Sequence, residues 1–159
     1  MKSYWSAAIL LAGLAGTLYG QNDSDSVRSC DTWSLKGTYL LSLSGTRPAP
    51  FVLPGLTGSP GTTEVVSGLF LQTFDGKGGF TQAAPVIVKG ALSGLFPDQP
   101  GSGVYSVNAN CTGSFTVNLP QLPAPLENRM IIVNGGKEFR AVVVSPQALM
   151  ISVMGKRID

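Results

Sequence analysis

Ser34-Leu35-Lys36-Gly37-Thr38-Tyr39-Leu40-Leu41-Ser42-Leu43-Ser44 is the stretch on which the fold class turns. Leu35, Gly37, Tyr39, Leu41 and Leu43 share one parity, and Lys36, Thr38, Leu40, Ser42 and Ser44 share the other. Successive side chains of a β-strand point to opposite faces, so a period of two separates an apolar face from a mostly polar one. A helix, with 3.6 residues per turn, has no use for that spacing. The stretch predicts a strand with one buried face.

The same reading extends along the chain. Thr46 to Thr63 is rich in Pro and Gly and predicts a long loop, with Phe51, Val52, Leu53 and Leu56 as its apolar residues. A second strand is expected at Glu64–Phe74, closed by the turn Asp75-Gly76-Lys77-Gly78-Gly79. A third runs from Phe80 to Gly90 with a break at Pro85, which has no N–H to give to a ladder. Gly94 to Gly103 reads as a further loop, and a fourth strand spans about Gly103–Asn108. The fifth is Ser114–Leu119, with Phe115, Val117 and Leu119 on one face; Pro120, Pro123 and Pro125 then form a stiff connector. The sixth, seventh and eighth strands are Asn128–Val133, Lys137–Val144 and Leu149–Lys156, separated by Asn134-Gly135-Gly136 and Ser145-Pro146-Gln147-Ala148. After the first twenty residues no window carries the i, i+3, i+4, i+7 spacing of an amphipathic helix. Eight short strands with turns between them predict an all-β sandwich or barrel over 33–159, and eight strands can close into a barrel whose interior just holds its own side chains or one small ligand. Closure removes the edges that an open sheet exposes.

Composition agrees with this class. Charged residues are 13% of the 159-residue chain and hydrophobic ones 43%, with 20 glycines and 11 prolines. A coiled coil or long helical bundle needs far more Glu, Lys, Arg and Leu. The formal net charge of +2 gives no excess with which to neutralise phosphates, so no nucleic-acid partner is expected. The chain has no histidine, which removes the Ser-His-Asp triad, the Cys-His pair and His-ligated metal sites together.

Residues 1–20 have the layout of a secretory signal peptide: Lys2 and the amino terminus supply positive charge, Ala7 to Ala12 open an apolar run, and small residues follow to Gly20. Cleavage after Gly20 is expected, with Ala15 as the alternative. The apolar run is about half the roughly 20 residues a membrane-spanning helix needs. Residues 21–32 read as a flexible lead-in, and the mature protein is expected to be secreted or periplasmic, with no membrane association after cleavage. In an exported chain two cysteines, Cys30 and Cys111, predict a disulfide.

Four segments carry a resemblance: Leu35-Lys36-Gly37-Thr38-Tyr39, Phe74-Asp75-Gly76-Lys77-Gly78-Gly79, Gly103 to Gly113 (with Tyr105-Ser106-Val107-Asn108-Ala109-Asn110-Cys111-Thr112-Gly113) and Val133-Asn134-Gly135-Gly136-Lys137-Glu138. In this order they are similar to a group of small secreted bacterial β proteins of uncharacterised function, which look like allene oxide cyclase-type, calycin-like eight-stranded barrels. The resemblance spans about Cys30 to Arg157. It implies a single antiparallel eight-stranded up-and-down barrel, export, and pairing of the N-terminal cysteine with the cysteine of the Asn108–Gly113 turn; it carries no activity. The Pro-rich loop at Thr46–Thr63 is larger than the pattern requires.

Candidate chemistry is sparse. Asp75 belongs to its turn, where an Asp side chain bonds nearby backbone N–H groups. Glu138 and Arg140, two apart in a strand, share a face and read as a surface ion pair, with an inward acid and an Arg140 anion clamp as the other reading. Glu64, beside the long loop, is a second candidate for an inward acid. No Gly-x-Ser-x-Gly motif and no clustered ligands for zinc or calcium occur, so neither a cofactor nor a metal is expected. The leading expectation is a binding module holding a small apolar ligand in the barrel, with Phe51, Leu53, Glu64 and Arg140 as ligand-binding candidates. The alternative is a structural or surface-interaction protein with a sealed barrel, in which apolar outward faces make a homo-oligomer interface. A cyclase- or isomerase-type enzyme would rest on fold analogy alone.

Overall fold

The computed structural model describes residues 29–48, 61–83, 87–90, 100–119 and 124–159. Among the described residues nine strands follow one another: β1 (Gly37–Pro48), β2 (Thr63–Phe74), β3 (Gly79–Gln82), β4 (Ile87–Gly90), β5 (Gly101–Val107), β6 (Thr112–Asn118), β7 (Leu126–Val133), β8 (Glu138–Ser145) and β9 (Met150–Arg157). Each pairs antiparallel with its neighbours, and β1 pairs with both β2 and β9, so the sheet closes on itself. β3 and β4 both lie against β2 and occupy one place in the ring. The molecule is therefore an eight-stranded up-and-down barrel, as expected. β3 pairs with β2 as far as Gln82 and β4 pairs with it from Ile87, and Pro85 falls between them in sequence.

Apart from the β8–β9 turn at Pro146–Leu149, the described turns gather at one end of the barrel. Asp75–Gly78, Asn108–Cys111 and Asn134–Lys137 connect strands there, beside a 3-10 turn at Thr32–Leu35. β5, β6 and β7 each begin two residues before the sequence reading, and β1 departs from it at both ends. The first strand begins at Gly37, because Asp31 caps the 3-10 turn: its side chain accepts from Ser34 N while Ser34 Oγ accepts from Asp31 N. That strand also runs on through Thr46, Arg47 and Pro48, residues expected in the loop, since β1 and β2 stay in register out to Pro48 and Thr63. The candidates Phe51 and Leu53 lie outside the described residues.

The inward faces fill that same end with rings. Tyr39, Phe74, Phe80, Tyr105, Phe115 and Phe139 are all buried, and their neighbouring ring centroids are 4.9 to 6.0 Å apart, mostly edge to face. Glycines on facing strands make room for them. Gly155 lies opposite Phe139 and Gly103 opposite Phe80 in register, and a Cβ at either would fall 2.1 Å or 2.4 Å from the ring it faces. The Cys30–Cys111 disulfide ties the segment before the 3-10 turn to the β5–β6 turn, and Cys30 N donates to Ala109 O at 3.2 Å.

Candidate functional site

Beyond the rings, toward the opposite end, the interior turns polar. Gln72, Gln82, Asn128 and Arg47 are its buried polar side chains among the described residues. Alternation puts them there. Gln72 has the parity of Phe70 and Phe74, Gln82 that of Phe80, and Arg47 that of Tyr39 and Leu41. Gln72 and Gln82 are cross-strand partners, and on its other side Gln72 faces Tyr39.

A cavity of about 60 Å³ opens against these amides. Gln72, Gln82 and Asn128 line it together with Leu43, Val117, Leu119 and Leu126. Leu43 and Leu126 are only half-buried, so the apolar wall leads from the amides toward the barrel end away from the rings. Gln72 has no exposed surface, yet neither its Oε1 nor its Nε2 has a hydrogen-bond partner among the described residues; Gln82 Oε1 is in the same position. Asn128 does better, its Nδ2 donating to Leu126 O at 3.3 Å and to Phe115 O at 3.5 Å. A buried amide group left without a partner costs about 1–3 kcal/mol, so this polar cluster is destabilising unless something in the cavity bonds it.

Glu64 lies on the inward face of β2, near the end of its ladder with β1, directly opposite Arg47. Its Oε2 accepts from both Nε and Nη2 of Arg47 at 2.8 Å, and the guanidinium is almost fully buried. The inward acid expected at Glu64 therefore faces a cation, but that cation is Arg47 and it comes from a segment read as loop. Arg140 is exposed on the outward face of β8 and does not approach the interior. Glu138 shares that outward side, and no ion pair joins the two; Arg47–Glu64 is the one ion pair among the described residues.

Among the described residues the cavity lining offers amide donors and acceptors against an apolar wall, with no nucleophile and no titrating group. The resolved pKa shifts lie at the opposite end. Burial pushes Tyr39 and Tyr105 up, and backbone N–H groups of Lys77 and Gly79 hold Asp75 below the usual carboxylate value. Asp75 Oδ1 accepts from those two groups at 2.6 and 3.0 Å, the role its turn predicts. Sequence reasoning passed over Gln72 and Gln82, although the signal was available: once Phe70, Phe74 and Phe80 are inward, residues two away on the same strands are inward too.

Neither a protein-family model, nor a curated protein, nor a solved structure matches this chain.

Proposed function

We propose that this chain is an exported β-barrel binding protein. It holds one small amphipathic molecule, with the polar head on Gln72 and Gln82 and the apolar body along Leu43, Val117, Leu119 and Leu126. The observation that carries this reading is the Gln72 carboxamide, fully buried, without a hydrogen-bond partner at either atom among the described residues, and facing a cavity. The apolar wall supports the ligand class expected from the sequence, and the amides add a hydrogen-bonding head to it. A cavity of 60 Å³ takes a head group of a few atoms, or two water molecules at roughly 30 Å³ each. The Cys30–Cys111 disulfide supports an oxidising compartment, in line with the leader-like first twenty residues and the resemblance to small secreted barrels.

A second reading has its own observation. Six mutually packed rings occupy one end, and the remaining void is small, as in a sealed barrel that works through its outer surface. Hexanamide, whose head both donates and accepts, separates the two. Binding at one-to-one stoichiometry, seen by calorimetry and by shifts of the Gln72 and Gln82 side-chain amide resonances, is the expected result. Gln72→Leu, of similar volume, should weaken it at least tenfold while the protein stays folded. Unshifted amide resonances, with long-lived water bound to them, would replace this proposal with the sealed barrel.

A further inference from the structure

The outer wall carries a second concavity, of about 600 Å³, over β1, β9, β8 and β7 with the start of β6. Its size falls within the roughly 300–1,000 Å³ of ligand pockets. Register explains its composition. Ser42, Met154, Arg140, Ile131 and Thr112 lie side by side across five strands, and Ser44, Ser152, Val142, Arg129 and Ser114 form the next outward row. Short side chains at Ser42, Ser44 and Ser152 stand beside the longer Met154, Arg140, Ile131 and Arg129, so the lining is uneven in height. Ile131, Val142 and Met154 are 56%, 48% and 44% exposed, in a face where alternation would place polar residues.

Arg129 and Arg140 sit on adjacent strands, one row apart. Diagonal neighbours in an antiparallel pair are about 7–8 Å apart, within the joint reach of two guanidinium groups on one anion. Both are exposed, and neither has an ion pair among the described residues. Glu127 and Glu138, the acids two residues away on β7 and β8, pair with neither and lie outside the cavity lining. Each arginine has an apolar cross-strand neighbour, Val142 beside Arg129 and Ile131 beside Arg140.

We infer that this face is a ligand site separate from the barrel interior. It takes an amphiphile with a single carboxylate- or phosphate-type head between Arg129 and Arg140 and its apolar body over Val142 and Met154. Guanidinium groups suit such heads because their planar N–H forks match the oxygen pair of the anion. The flanking hydroxyls of Ser44 and Ser152 supply further donors at the cavity edge.

Decanoate, used below its micelle concentration, tests this against 1-decanol, which keeps the chain and loses the charge. Saturable one-to-one binding of decanoate by the mature protein, at least tenfold tighter than decanol, is expected. Because both arginines are exposed, Arg129→Gln with Arg140→Gln should leave the fold intact and weaken decanoate at least tenfold. Gln72→Leu should leave decanoate binding unchanged, which keeps this test apart from the hexanamide one. Equal affinity for decanoate and decanol, retention of decanoate binding by the double variant, or association only with anionic vesicles would each overturn the inference. Decyl phosphate in place of decanoate reads which anionic head is preferred.

Discussion

Tyr39 shows how one buried hydroxyl joins three parts of the chain. Its Oη donates to Gly136 O and accepts from Arg157 Nη2 at 2.9 Å, and the same Nη2 donates to Ser34 O at 2.9 Å. Tyr39→Phe leaves a buried carbonyl without its donor and takes from the Arg157 guanidinium one of its acceptors, which should cost about 1–3 kcal/mol in urea unfolding at neutral pH. The pH dependence has a definite sign. Burial raises the pKa of Tyr39 above 10.0, while the Arg157 hydrogen bond and charge pull it back in part. Above a pH of about 10 the unfolded chain has lost the phenol proton and the folded chain keeps it, so stability falls as pH rises from there through the folded value. Tyr39→Phe should flatten this alkaline loss without abolishing it, because burial also raises Tyr105. Urea midpoints followed from neutral to alkaline pH measure both effects; an unchanged alkaline slope in the variant contradicts the assignment. Gln72 is the opposite case, a buried polar group whose partner is not in the described protein. The hydrophobic pattern marks its position as inward but says nothing of its bonding, which depends on what lies across the barrel.

Strand pairing converts local alternation into a packed interior, and glycine placement decides whether the rings fit. Gly155 lies opposite Phe139, whose ring has no exposed surface and also touches Tyr39, Phe74 and Phe115. A methyl at Gly155 would sit 2.1 Å from Phe139 Cε1, and the other rings leave Phe139 no direction in which to yield. Gly155→Ala should therefore destabilise by about 1–3 kcal/mol or more, read as a lowered thermal midpoint, against a change within about 0.5 kcal/mol for the outward control Ser44→Ala. Equal midpoints for the two variants would show that the rings do not form a tight layer. Element boundaries were the least legible feature. Asp31 captures the first turn before β1, and Arg47 prolongs β1 because Glu64 stands opposite it. Both effects come from a partner outside the local window: the capping box at one end, a cross-strand ion pair at the other.

Closure makes the barrel one cooperative object, and the disulfide adds a constraint from outside the ladder. Cys30 and Cys111 are 81 residues apart in sequence, a separation for which a cross-link is worth roughly 3–5 kcal/mol by restricting the unfolded chain. Replacing both cysteines with serine should lower stability by that order, whereas the wild-type protein should resist alkylation until reduced. Intact-mass measurement of the protein recovered from an exporting bacterial host checks this together with the leader. A chain beginning at Gln21 with neither thiol labelled is expected. A chain retaining Met1, or one fully labelled without reductant, would contradict export or the bridge respectively. Among the described residues no helix is long and apolar enough to cross a membrane.

Periodicity, turn chemistry and cysteine count were enough to read the class, the eight strand-forming stretches and the disulfide, because each depends on a few neighbouring residues or on a pair with no alternative. The inward parity of β1 and β6 was legible for the same reason: Tyr39, Leu41, Phe115 and Val117 alternate with more polar residues. Ala141-Val142-Val143-Val144 is apolar at both parities, and there the sheet had to choose; Ala141 is buried and Val142 exposed because Phe139 is held inward by the other rings. The interior site needed closure as well. Arg140 comes within a row of Arg129 through the β7–β8 hairpin alone, but Gln72 meets a cavity only when strands distant in sequence take one register. That register is set by how all the inward side chains share a fixed volume, a condition no segment carries alone.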